Sequence, residues 1–74
     1  LIRTAATLHQ GEESVIESIG DSDYSINFLE IGLLPGKHIT AIQKAPFGGP
    51  IAFLVEGHMM ALRQSEAELV KIKK

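Results

Sequence analysis

IGLLPGKHITAIQKAPFGGPI, Ile31 to Ile51, admits two readings. Gly32, Gly36 and Lys37 echo a phosphate-binding loop. Read instead as punctuation, the same glycines and Pro35, Pro46 and Pro50 are the turns of a small β-barrel. A nucleotide-binding loop of the Gly-x-x-x-x-Gly-Lys type needs four residues between its glycines. It also needs Ser or Thr after the lysine, and a helix beginning there. Here three residues separate Gly32 from Gly36, His38 follows Lys37, and the residues beyond read as a strand. The glycines are therefore turn residues. Pro35-Gly36 fits the centre of a type II turn, because proline pre-sets φ and glycine accepts φ > 0.

Outward from the turn, His38 to Ala45 reads as a strand with Ile39, Ala41 and Ile42 as its apolar residues. Their imperfect alternation predicts a bulge. Pro46 to Pro50 reads as a hairpin loop. In Pro50 to Glu56, Ile51, Phe53 and Val55 share one face. Gly57-His58 turns the chain into a short strand over Met59 to Leu62. Ser65 to Glu68 has the spacing of a capping box and predicts one helical turn, and Leu69 to Ile72 closes as a strand.

On the N-terminal side, Thr7 to Gly11 reads as a turn and Glu13 to Ile19 as a strand. Ser22 or Asp23 caps a helix running from about Tyr24 to Ile31, which Gly32 ends. At 100° per residue Tyr24, Phe28 and Ile31 share one side. Ile26 and Leu29 lie nearly opposite, with Leu33 continuing their line. One side covers the barrel core. The other is covered by the N-terminal segment, through Ile2 and Leu8, or by another protein. Phe47 poses the same choice at its loop tip: it folds back, or it stands out as an anchor.

Length and composition bound the rest. The 74 residues make one domain, 1–74, with an all-β fold: a small β-barrel of four or five strands and one short helix. Ordering costs and burial gains nearly cancel at this size, so a partner or a homo-oligomer adds stability. There is no cysteine, hence no disulfide framework and no thiolate zinc site. A net charge of -2 without a basic stripe argues against nucleic acid. The longest apolar run, Ile51 to Val55, cannot cross a bilayer, and the N-terminus carries no signal-type apolar region. A cytosolic protein is the expectation. Because the chain begins at Leu1, a trimmed start or a domain of something longer is also expected.

Chemistry-bearing residues are sparse. His9, His38 and His58 lack ligand spacing, although His58 with Met59 and Met60 offers imidazole and thioether, which suit a soft metal. Turn histidines and core methionines are the plainer reading. Glu12, Glu13 and Glu17 read as solvated surface. No serine sits in a nucleophile motif, so no enzyme is expected.

Phe28 to Gly36 (FLEIGLLPG), Lys44 to Ile51 (KAPFGGPI) and Ala61 to Ile72 (ALRQSEAELVKI), with Leu8 and Gly11 before them, resemble in order and spacing the ferrous iron transport protein A (FeoA) family. Ile31 and Phe47 stand where that family often has Leu. The resemblance implies an SH3-like barrel. It also implies a cytoplasmic accessory of ferrous iron uptake and iron homeostasis, which binds and modulates the cytosolic region of a FeoB-type GTPase-permease. The membrane is then met only through that partner. The family brings no agreed catalytic, cofactor or metal residues, so none is assigned. The expected partner surface is the spare helix face and the adjoining turn, Phe28, Leu29, Leu33, Leu34 and Pro35, together with Phe47. An alternative is the SH3-like C-terminal domain of a diphtheria-toxin-repressor-type iron-dependent regulator, with a metal ligand near His38 or His58.

Overall fold

A computed structural model describes residues 3–20, 28 and 30–73. Along the chain come β1 (Arg3–Thr4), a 3-10 turn (Ala5–Thr7), β2 (Glu13–Ile19), β3 (His38–Lys44), β4 (Ile51–Val55), β5 (His58–Leu62), helix α1 (Gln64–Ala67) and β6 (Val70–Ile72). The strands run in the order β1-β6-β2-β3-β4-β5, every pairing antiparallel.

β2 turns this ribbon into a barrel wall. Its first residues, Glu13 to Val15, pair with β3, and Ile16 to Ile19 pair with β6. The register slips between Ile16 and Ser18. A bulge there adds one residue and bends the strand from one sheet into the other. A second slip, between Ala41 and Gln43, is the bulge that the broken alternation of β3 predicts.

Burial follows the period-2 pattern most clearly in β4. Ile51, Phe53 and Val55 are buried, while Ala52 and Leu54 are partly covered on the outer face. Ile16, Ile39, Leu62, Val70 and Ile72 join them from the other strands, and Leu8 enters from the chain beside the 3-10 turn. At about 1.5–3 kcal/mol for each large side chain fully removed from water, these residues dominate the favourable side of folding.

β1 goes beyond the four or five strands expected. Its two residues pair with Lys71 and Ile72 at the far end of the chain. Arg3 then holds the segment down: its guanidinium reaches both carboxylate oxygens of Glu12, at 3.1 and 3.3 Å. The same carboxylate accepts the His9 amide at 2.9 Å. The Arg3 hydrogen bond, with the His9 amide second, holds the Glu12 carboxyl below its ordinary pKa.

The turn of helix before β6 is capped two residues earlier than the Ser65 to Glu68 spacing suggests. Arg63 occupies the N-cap position, and its amide donates to Glu66 Oε1 at 2.7 Å. The acceptor is the third residue of the helix, as in half of a capping box, and Ser65 plays no capping part. Ala67 packs this helix onto the core.

Candidate interaction surface

The expected partner residues lie around the connection from β2 to β3 and at the tip of the β3–β4 hairpin. Tyr24, Ile26, Leu29 and most of the expected helix lie outside the described residues. Phe28 and Glu30 are helical. The helix ends as a Schellman motif: the Leu33 amide donates to the Phe28 carbonyl at 2.9 Å, and Gly32 between them has φ +95°. This motif brings the residue after the glycine back toward the last turn of the helix. Phe28 and Leu33 are accordingly both buried in the core.

That corrects two of the expected surface residues. Phe28 and Leu33 cannot present side chains to a partner, because the reversal at Gly32 turns Leu33 inward. Ile31, grouped with Phe28 by helical counting, is 48 % exposed. Leu34 is 37 % exposed and Pro35 is exposed beside it.

The turn that carries Leu34 and Pro35 is tightly held. Lys37 donates its amide to the Leu34 carbonyl at 3.1 Å, and Gly36 has φ +91°, as a type II turn requires. Gly36 also donates to the Ile16 carbonyl at 2.8 Å, and Ile16 donates to the Lys37 carbonyl at 2.9 Å. The amides of Gly36 and Lys37 are thus committed to the fold. This is a fixed platform carrying Leu34 and Pro35, with exposed Ile31 three residues before Leu34 in the chain.

Phe47 stands apart. It is fully exposed, on a turn in which Gly49 donates to the Pro46 carbonyl at 3.2 Å. Phe47 and Gly48 both have positive φ, +59° and +73°. Such a pair of values belongs to a type I′ hairpin turn, where Asn or Gly is usual and an aromatic residue is strained. The seven residues of β3 separate Phe47 from the Leu34–Pro35 platform. A strand of that length spans roughly 20 Å, so the two lie at opposite ends of it. The expected surface is therefore two separate apolar points.

The histidines do not converge. His38 Nδ1 lies 3.1 Å from Glu13 Oε2, and its amide donates to Glu56 Oε2 at 3.0 Å. These residues, with Thr40, Leu54 and Gly57, line a shallow hollow of about 330 Å³ on the outer face of the sheet. His9 sits beside Glu12 and His58 opens β5. Among the described residues no three His, Asp or Glu side chains are placed to hold a metal. None of the described helices is long and apolar enough to cross a membrane.

Residues 3–74 match the FeoA domain. The chain belongs to the FeoA domain family. An Fe(2+) transport protein A/Fe(2+) transporter FeoB fusion protein of Porphyromonas gingivalis is 30 % identical over 67 residues, which is 89 % of this chain and 8 % of that protein. The chain thus spans only a small part of this curated relative. FeoA of Stenotrophomonas maltophilia, solved with zinc and described as a prokaryotic SH3 domain protein, is 28 % identical with a TM-score of 0.86. The likeness covers 96 % of this chain and 89 % of that one. The FeoA fold here is accordingly an SH3-like barrel. A manganese-dependent transcriptional repressor solved with manganese shares that fold at 19 % identity and a TM-score of 0.89, over 97 % of this chain and 36 % of its own.

Proposed function

We propose that this FeoA-family chain is a cytoplasmic accessory of ferrous iron uptake that acts by contact, without chemistry of its own. Its partner is the cytosolic region of a FeoB-type permease. The observation that carries this reading is the relative in which an FeoA part and a FeoB transporter form one polypeptide. Fusion holds two modules at high effective concentration, which is useful when their contact alone is weak.

The platform of Ile31, Leu34 and Pro35 suits such a contact. At Leu34 and Pro35 its backbone is fixed by the Gly36–Ile16 and Lys37–Leu34 hydrogen bonds, so little ordering cost falls on binding there. Ile31 and Leu34 are already about half covered, so burying what remains exposed contributes about 1 kcal/mol per side chain before association costs. That yields a reversible complex suited to regulation. Phe47, at the other end of β3, is a second anchor for an extended partner surface.

The regulator reading rests on likeness of fold at 19 % identity, whereas the fusion joins this family's domain to a transporter. The first reading is therefore preferred. A strain lacking this chain should take up ferrous iron more slowly. The wild-type chain should restore uptake, and folded Leu34→Asp should not. Unchanged uptake in the deletion strain would reject the proposal.

A further inference from the structure

β5 ends the sheet. It pairs with β4 on one side, and among the described residues nothing pairs with its other side. The connection from β4 is the two residues Glu56 and Gly57, with φ +48° and +86°. In such a hairpin Val55 and His58 form the first hydrogen-bonded pair. Alternation then turns the backbone groups of Met60 and Leu62 toward β4 and those of Met59 and Ala61 away from it. The other side of the sheet sets the same parity. Ala41, opposite Phe53, donates to the Glu12 carbonyl at 3.1 Å and accepts from Gly11 at 2.6 Å. Phe53 therefore directs its own groups to Met60.

Proteins usually guard such an edge with Lys, Pro or a bulge. His58-Met-Met-Ala-Leu62 contains no Lys, Asp, Glu or Pro, and its register with β4 runs through all five pairs without a slip. Its outer face carries a knob and a hole. Met59 is 61 % exposed. Two residues on, Ala61 joins Ala52, Ala45, Pro50 and Gln43 around a shallow, mainly apolar hollow of about 190 Å³.

We propose that two copies of this chain associate through β5, antiparallel, about a two-fold axis at Met60. Both residues with outward backbone groups engage at once in this register alone. Met59 of each copy then exchanges two backbone hydrogen bonds with Ala61 of the other. Directly opposed residues point to the same face. Each Met59 side chain is therefore laid beside the other copy's Ala61 and its hollow. Backbone register and side-chain fit select the same pairing, and no like charges oppose each other along it. A second copy is the occupant that supplies both halves of this match. The contact is small, so the dimer forms at high protein concentration.

The test is sedimentation of the wild-type chain over a concentration series up to about 1 mM, with residue-resolved amide exchange on the same samples. The mass should rise toward twice that of one chain. The Met59 and Ala61 amides should slow in step with it, while the Met60 amide, bonded within the hairpin, keeps one rate throughout. Ala61→Pro removes only an outward N–H, a change that edge strands tolerate. It should move association to at least about tenfold higher concentration. Three results would overturn the proposal: a monomer at every concentration, a dimer whose Met59 and Ala61 amides still exchange fast, or a folded Ala61→Pro chain that dimerises like wild type. Should Ala61→Pro fail to fold, the wild-type exchange data decide alone.

Discussion

Leu33 donates its amide to the Phe28 carbonyl across 2.9 Å, and the side chains of both residues are buried in the barrel core. The helix end is thus locked from two directions. The backbone bond closes the turn around Gly32, and apolar packing holds the residues on either side of it. Leu34, the next residue, is left at the surface.

This adjacency predicts opposite outcomes for neighbouring leucines. Leu33→Ala should lower unfolding free energy by about 2–5 kcal/mol, as for other large-to-small core changes. Leu34→Ala should change it by less than about 1 kcal/mol, as at other partly exposed sites. Urea denaturation of the two variants measures the contrast. Equal losses would mean that Leu33 is not a core residue.

Phe47 should be better tolerated as something else. An aromatic residue at φ +59° carries backbone strain of about 1–3 kcal/mol. Its exposed ring returns no burial energy within the chain. Phe47→Asn, with the residue type that type I′ turns favour, should raise stability by up to about 1 kcal/mol. It should at the same time weaken binding to the permease's cytosolic region if Phe47 is the second anchor. A stability loss in thermal unfolding would contradict the strain assigned here.

Glu12 ties the pH dependence of stability to the N-terminal segment. Its folded pKa lies below its ordinary value, first because of Arg3 and then because of the His9 amide. A depressed carboxylate pKa favours the folded state above the unfolded-state value and stops doing so as pH falls through the folded-state value. Stability should therefore decline on acidification below the usual carboxylate range, near pH 4. Glu12→Gln should flatten that decline and lower stability at neutral pH. Unfolding midpoints across an acid pH series check both, and an unchanged acid limb in Glu12→Gln would remove Glu12 from the account.

Much of the barrel was legible because its signals are local. Proline and glycine announce the turns at Pro35-Gly36 and Pro46 to Pro50, and the alternation of Ile51, Phe53 and Val55 names the inner face of β4. The broken alternation of β3 announced its bulge. The two residues of β1 were not legible, since Arg3 and Thr4 pair with Ile72 and Lys71 across almost the whole chain. At Leu33 the structure departs from the helical pattern for a definite reason: counting at 100° per residue does not hold past Gly32, where the backbone reverses. Residue pattern alone does not give the direction of Phe47, because it depends on a positive φ that an aromatic residue rarely adopts. The separation of Phe47 from Leu34 follows from the length of β3, the strand that the sequence already places between them.

The central claim is that the platform around Leu34 recognises the cytosolic region of a FeoB-type permease. Titrating that region into isotopically labelled chain, and following the backbone amides, tests it most directly. The account predicts concentration-dependent shifts centred on Ile31, Leu34 and Gly36, and their loss in Leu34→Asp with the rest of its spectrum intact. Shifts confined to other faces of the barrel, or a folded Leu34→Asp chain that binds as wild type does, would contradict it.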